Sequence, residues 1–176
     1  MSQKNNQKKK ISTKIIILIP VFILGIVSVF SNMLAMSSLR SVNSVATVIA
    51  EESIASVSEL ASIEQETMQI HNLALSHIVA TDLNTMISVV ANIREQESVL
   101  EDELAQYKKY VDAETQSDYD VICENYEQLK YECGNVMAYS AAGDNEAAYQ
   151  LANGDISTYA SAIESSIATI KDKVNA

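Results

Sequence analysis

The feature that most constrains this chain is the absence of helix breakers from Ile26 to Cys133, where there is neither glycine nor proline. Nothing in that span forces the backbone out of a helix, because these two residues are the strongest local breakers. The whole chain of 176 residues contains only 4 glycines and 1 proline. That is too few for the many tight turns of a β-sandwich or barrel. The sequence therefore predicts an all-α protein.

The charges are distributed unevenly along the chain. Five of the 12 basic residues lie in the first fourteen positions, and the first acidic residue is Glu51. Residues 15–36 carry no charge, and their number matches the roughly 20 residues that a helix needs to cross a bilayer. From Ser37 onward seven basic residues face 23 acidic ones, a net charge of −16.

This layout predicts three parts: a basic cytoplasmic N-terminus at 1–14, a transmembrane helix at 15–36 and an extracellular domain at 37–176. The lysines of the first part should stay in the cytoplasm by the positive-inside rule, which places the domain outside the cell membrane. The competing interpretation of the apolar segment is a cleaved signal peptide. A signal peptide needs small residues at two positions of its cleavage site. The best candidate has Met33 and Ala35 at these positions, and methionine is too large for the first of them. The sequence favours the uncleaved anchor.

Apolar or small residues recur at alternating spacings of three and four in four runs, which is the pattern of helices packed side by side. The first run contains Leu39, Val42, Ala46, Ile49, Ser53, Ser56, Leu60, Ile63, Thr67, Ile70, Ala74 and His77. The second contains Met86, Val90, Ile93, Glu97, Leu100, Leu104, Tyr107 and Val111. The third contains Tyr119, Ile122, Tyr126, Leu129, Cys133 and Val136. The fourth contains Ile156, Tyr159, Ile163, Ile167, Ile170 and Val174.

Polar segments with capping side chains separate the runs. They are Thr81–Asn84, Asp112–Ser117 and Gly143-Asp144, where glycine suits the left-handed position after a helix and aspartate the next N-cap. Asn153-Gly154-Asp155 is expected to kink or interrupt the start of the fourth helix. Four amphipathic helices with short connections predict an antiparallel up-down four-helix bundle, continuous with the transmembrane helix.

The fourth helix is shorter than the first. At about 1.5 Å per residue, the first helix rises roughly 65 Å from the membrane between Ser37 and Ala80, whereas a helix from Asn145 to Ala176 returns only roughly 48 Å. The fourth helix would therefore end short of the membrane. We therefore expect the chain to be the front part of a longer protein, truncated before a second transmembrane helix.

The segments SSLRSVNSVATVIAE, after the apolar run, and SAAGDNEAAYQLANGD, near the end, resemble the sensor half of bacterial methyl-accepting chemotaxis receptors with a four-helix-bundle extracellular domain. The shared residues are Ser41-Val42-Asn43, and Ala142-Gly143-Asp144 followed by Glu146 and Ala147. The resemblance implies a homodimer, a second membrane helix, a HAMP domain and a cytoplasmic signalling hairpin. The same sensor module also precedes some histidine kinases and diguanylate cyclases, so these outputs remain alternatives.

The resemblance does not supply a ligand site. Receptors for aspartate and serine hold the ligand carboxylate with arginines of the first external helix, whereas this chain has no Lys or Arg between Ser41 and Ile93. A domain of net charge −16 also repels anions. We therefore expect a cationic or uncharged ligand, or a solute-binding protein as partner. By position near the tip of the bundle, the candidate ligand-binding residues are Gln65, Gln69, Asn72, Ser76, Tyr149 and Asn153.

Several other residues are expected to be structural. His77 lies on the first seam and is expected to be a core residue. Cys123 and Cys133 are too far apart along one helix to form a disulfide. The seam tyrosines Tyr107, Tyr119, Tyr126 and Tyr159 are expected in the core. Glu97 is the one carboxylate on a seam, and it is either a polar break in the packing or part of a ligand pocket.

No catalytic, metal or cofactor site is predicted. The chain has no glycine-rich phosphate loop, no nucleophile-base pair of plausible spacing and no cluster of metal ligands, so we predict that it is not an enzyme. Its net charge of −11 at pH 7 argues against nucleic acid as a partner. The functional prediction is an extracellular sensory domain of a chemotaxis-type receptor, signalling by helix displacement in a dimer. The alternative is a membrane-tethered helical bundle with an interaction or structural role.

Overall fold

The computed structural model describes residues 13–175, so residues 1–12 of the predicted basic N-terminus lie outside the described residues. The chain divides into two units, one ending at Ala50 and one comprising Glu51–Ala176. The described helices are α1 (Thr13–Val79), α2 (Leu83–Tyr107), α3 (Gln116–Ala141), α4 (Asn145–Leu151) and α5 (Ser157–Val174). A 3₁₀ turn at Lys108–Tyr110 follows α2, and a π-helical turn at Ala152–Ile156 joins α4 to α5. We call α4, the π turn and α5 together the fourth bundle helix.

The first unit contains the apolar part of α1. This segment is long and apolar enough to cross a membrane, and none of its most apolar 18 residues is buried in the protein. Its large side chains are exposed, among them Phe22, Leu24 and Phe30. Such a surface is stable in the hydrocarbon of a bilayer and unfavourable in water. This part of α1 is therefore a candidate transmembrane helix, as the sequence predicted.

The second unit is an all-helical bundle, with no strand among its described residues. Side-chain contacts set the directions of its helices. Ser56 of α1 meets Tyr107 of α2, and Ser62 meets Glu103, so a later residue of α1 contacts an earlier residue of α2. The same antiparallel order relates α2 to α3, and Lys171 near the end of α5 reaches back to Glu64. The predicted up-down arrangement agrees with these contacts.

The core of the bundle follows most of the predicted seam positions; at the start of the second seam Val89 is buried, whereas the predicted Val90 is half-buried. From Ser56 to His77 every seam residue of α1 is buried, as are four of the six predicted seam residues of the fourth bundle helix, Ile156, Ile163, Ile167 and Ile170. Burying an aliphatic side chain of this size contributes about 1.5–3 kcal/mol, so these seams hold the bundle together. The earlier seam residues Leu39, Val42, Ala46 and Ile49 belong to the first unit and are exposed there.

The seam tyrosines divide into two groups. Tyr107, Tyr119 and Tyr126 are buried as predicted, and the last two donate hydrogen bonds to the backbone oxygens of Leu104 (2.9 Å) and Glu97 (3.0 Å). Tyr159, in contrast, is only half-buried at the edge of the core. Its neighbour Ala160 occupies the buried position instead, at 5% exposure.

The helix ends form where the capping residues predicted them. Asp82 is the N-cap of α2 and accepts hydrogen bonds from the backbone N–H and the hydroxyl of Thr85, at 3.0 and 2.6 Å. Gly143 adopts φ +82° just after α3, and its N–H donates to the oxygen of Ser140 at 3.0 Å. The N–H of Asp144 donates to the oxygen of Tyr139 at 2.9 Å, which completes a Schellman motif.

The interruption expected at Asn153-Gly154-Asp155 is a π turn rather than a break. The buried residues around it are Ala148, Ala152, Ile156 and Ala160, spaced by four each time. A regular α-helix has 3.6 residues per turn, so three successive spacings of four would rotate its buried face away from the core. The wider π turn absorbs this excess and keeps all four residues facing inward.

Candidate functional site

The six predicted ligand-binding residues are all exposed and form two groups. Gln65, Gln69, Asn72 and Ser76 lie on α1, where the Ser76 hydroxyl donates to the backbone oxygen of Asn72 at 2.8 Å. Tyr149 and Asn153 lie on the fourth bundle helix, where the Asn153 amide donates to the backbone oxygen of Tyr149 at 3.1 Å. None of the six lines either of the two grooves described below. Their role in ligand binding stays a prediction.

A second stripe of residues runs along the outward face of α1, at the same alternating spacing as the buried seam. We call it the α1 outer stripe; its exposed members are Ile54, Ser58, Ala61, Gln65, Met68, Asn72, Ser76 and Val79. It contains no charged residue, in a domain of net charge −16. Uncharged residues at this spacing are typical of a helix face that packs on another helix. Three of the predicted ligand-binding residues lie on this stripe.

A group of carboxylates lies between α1 and α2. One oxygen each of Glu59, Glu66 and Glu103 is buried without a hydrogen-bond partner, and burial together with the charge of Glu103 raises the pKa of Glu66. Ser58, Ser62 and Gln106 complete the groove lining around Glu59 and Glu103. In the described part of the chain, no three Asp, Glu, His or Cys residues have the geometry to hold a metal ion. This groove is therefore an acidic cluster.

The groove between α2 and α3 surrounds the seam carboxylate Glu97. Its volume is about 410 Å³, and its lining consists of Arg94, Glu97, Glu127, Lys130, Tyr131, Gly134, Asn135 and Met137. The Glu97 side chain is only 5% exposed, and Arg94 Nη1 lies 3.6 Å from its Oε2, beyond hydrogen-bonding distance. Burial raises the pKa of Glu97, although the charges of Arg94 and Lys130 act against it.

Glu97 was therefore identified in the sequence, whereas the residues opposite it were not. The signal for Glu97 is a single charge on an otherwise apolar seam. Lys130, Tyr131 and Asn135 are on another helix, and only the packing of α3 against α2 brings them to the groove. The sequence carries no local signal for such a juxtaposition.

The seam residues His77 and Cys133 are structural. His77 is 2% exposed, burial lowers its pKa, and its backbone oxygen accepts a hydrogen bond from Ser140 at 3.1 Å. Its ring Nδ1 has no partner among the described residues. Cys133 is fully buried, and burial raises the pKa of its thiol to about 12. A thiol in this state is unreactive, and Cys123 and Cys133 are both free.

Comparison with known proteins identifies the family of the bundle. A family model described as a four helix bundle sensory module for signal transduction matches residues 8–175. The match covers the candidate transmembrane helix and all the bundle helices. No curated protein and no solved structure matches the chain.

Proposed function

Because this chain belongs to the family of four-helix-bundle sensory modules for signal transduction, we propose that it is the non-catalytic sensor part of a chemotaxis-type membrane receptor. The bundle lies outside the cell membrane and receives a small ligand or a solute-binding protein. The basic residues at 1–14 hold the N-terminus in the cytoplasm. The family match over nearly the whole chain, together with the apolar part of α1, carries this proposal.

The module acts as a homodimer through the α1 outer stripe. Its side chains Ile54, Met68 and Val79 are 71%, 49% and 75% exposed, so a second copy packed here would cover apolar surface. Two stripes free of charge can meet without the repulsion that other faces of an acidic bundle would suffer. Gln65 and Asn72 would then lie between the two copies, where both could contact one ligand.

The signal is a change in the packing of these helices. A ligand that binds one packing of the dimer more tightly shifts the population toward it. Packed helices respond by small translations or rotations, because their interfaces have discrete arrangements. Ser53 lies on the inner seam of α1, where its small, half-buried side chain keeps the packing adjustable, whereas Ser56 is held by its hydrogen bond with the Tyr107 hydroxyl.

Cysteine cross-linking in membranes tests the dimer. Ala61→Cys on the outer stripe, in a background with Cys123→Ser and Cys133→Ala, should give a disulfide-linked dimer on mild oxidation. Ala105→Cys is the matched control, because Ala105 is also an exposed alanine but lies on α2. Equal cross-linking of the two variants, or none of either, would contradict the proposed interface.

Thiol labelling of intact cells tests the orientation. A membrane-impermeant maleimide should modify Ala105→Cys without cell lysis if the bundle is outside. Modification only after lysis would place the bundle in the cytoplasm and refute the sensory role as proposed. The ligand preference is tested separately by calorimetry, where tight binding of the dicarboxylate aspartate would contradict a cationic or uncharged ligand.

A further inference from the structure

We propose that the groove between α2 and α3 binds a small primary amine, with the Glu97 carboxylate accepting hydrogen bonds from the ammonium group. This assignment deepens the sensory function proposed above, on which its biological meaning rests. It names the class of ligand and a site within one protomer. It is separate from the six exposed positions that the sequence suggested.

The first argument is the state of Glu97. Its side chain is 95% removed from solvent and lines the groove, yet no donor of the described residues forms a hydrogen bond with its carboxylate. A carboxylate this far removed from water has lost most of its hydration, and an ion pair at 3.6 Å without a hydrogen bond replaces only part of it. Arg94 supplies only part of the compensation, because its side chain is 67% exposed and its Nη1 remains 3.6 Å from Glu97 Oε2, and the rest is lacking. A ligand with N–H donors would supply it.

The second argument is the charge of the groove. Among the residues that the structure describes, the carboxylates of Glu97, Glu101 and Glu127 face two cationic side chains, Arg94 and Lys130, so the group carries three negative charges and two positive ones when all three carboxylates are ionised. Lys130 is already paired with Glu101, which also accepts a hydrogen bond from the Tyr126 hydroxyl. One net negative charge is left, and a single ammonium group neutralises it. A neutral donor such as an alcohol would leave that charge uncompensated.

The third argument is the shape of the groove. Its volume of about 410 Å³ is in the range of small-molecule sites. Gly134 contributes no side chain, and a Cβ atom added there would meet nothing within 4 Å. The side chains of Met137 and Tyr131 line the same groove and offer apolar surface to the carbon chain of an amine. The arrangement suits an alkylamine better than a metal ion, because Glu97 is the only deeply buried carboxylate lining it.

The test uses the full chain in lipid nanodiscs and ethylammonium chloride as the probe. We expect saturable binding by calorimetry and a rise in the unfolding temperature with probe concentration. Tetramethylammonium has the same charge and no N–H donor, and potassium is a control for ionic strength. Equal binding of tetramethylammonium or potassium would overturn the assignment, as would the absence of saturable binding of ethylammonium.

Variants locate the site. Glu97→Gln keeps the size of the side chain and removes its charge, so it should weaken ethylammonium binding by about tenfold or more. Glu95→Gln is the matched control, because Glu95 is exposed on the same helix outside the groove. Gly134→Leu should block the groove while leaving Glu97 intact. Ethylammonium binding that is unchanged in both Glu97→Gln and Gly134→Leu would refute the site.

The two proposals fail independently. Cross-linking of Ala61→Cys reports on the dimer whether or not an amine binds. If the dimer forms outside the cell and ethylammonium does not bind, only the groove assignment is refuted. If ethylammonium binds and the bundle is found in the cytoplasm, the groove stands and the extracellular sensory role fails.

Discussion

Replacing Gly143 by alanine tests the cap at the end of α3, and the same replacement of Gly134, inside α3, serves as its matched control. Gly143 adopts φ +82°, and an added Cβ would meet nothing within 4 Å, so the cost comes from the backbone alone. A left-handed conformation costs a non-glycine residue about 1–2 kcal/mol. Gly143→Ala should therefore lower the free energy of unfolding by that amount.

Gly134→Ala is the matched control with the opposite sign. Gly134 lies inside α3, and its added Cβ would also meet nothing within 4 Å. Alanine in a helix interior is more favourable than glycine by about 0.5–1 kcal/mol, because glycine loses more backbone entropy on folding. The same substitution should thus destabilise the protein at one position and stabilise it nine residues earlier.

Thermal unfolding followed by far-UV circular dichroism measures both. At about 4 °C per kcal/mol for a domain of this size, Gly143→Ala should lower Tm by about 4–8 °C and Gly134→Ala should raise it by about 2–4 °C. The full chain in mild detergent keeps the candidate transmembrane helix in its own environment. Shifts of the same sign for the two variants would refute the assignment of Gly143 to a Schellman cap.

Three further predictions concern the core and the buried polar groups. Ile163→Ala removes a buried side chain and should lower the free energy of unfolding by about 2–5 kcal/mol. Ile87→Ala, at an exposed position, should lower it by less than about 0.5 kcal/mol. Chemical denaturation measures both, and equal effects would contradict the described core. Tyr107→Phe should cost about 1–3 kcal/mol, because it leaves the Ser56 hydroxyl buried without its partner at 3.0 Å. Adding Ser56→Ala should recover part of that loss, and a strictly additive double variant would contradict the hydrogen bond. Burial raises the pKa of Glu97 above about 4.5, so the folded chain binds more protons than the unfolded one. The free energy of unfolding should therefore fall as the pH rises from about 4.5 through the raised pKa. Glu97→Gln should flatten this part of the profile of unfolding free energy against pH, and an unchanged profile would contradict the raised pKa.

The fold could be predicted because local signals agreed with the packing. The seam from Ser56 to His77 is visible in the sequence as a spacing of three and four, and all its members are buried. The caps at Asp82 and Gly143 follow from side-chain chemistry and backbone freedom within a few residues. Such features depend on near neighbours in the sequence, which is why they can be recognised without a structure.

Other features depend on packing and could not be predicted. Ala148 and Ala152 are fully buried, yet alanine gives only a weak hydrophobic signal and the π turn breaks the regular spacing. Tyr159 fits the ideal spacing, but its neighbour Ala160 occupies the core position instead. The groove around Glu97 forms only when α3 packs beside α2. The six suggested ligand-binding residues were inferred only from their location near the tip of the bundle, and in the structure they are exposed.

The π turn also has a consequence for how this helix tolerates insertions and deletions. Ala160 lies twelve residues after Ala148, and a regular α-helix would need a separation of about eleven residues to complete three turns. The turn at Ala152–Ile156 therefore behaves as a stored one-residue insertion. Deleting Gly154 would remove the extra residue and leave a regular helix in which Ile163, Ile167 and Ile170 still face the core. At this point the bundle can lose a residue and keep its packing, whereas a deletion in the regular part of α5 would rotate every buried residue that follows.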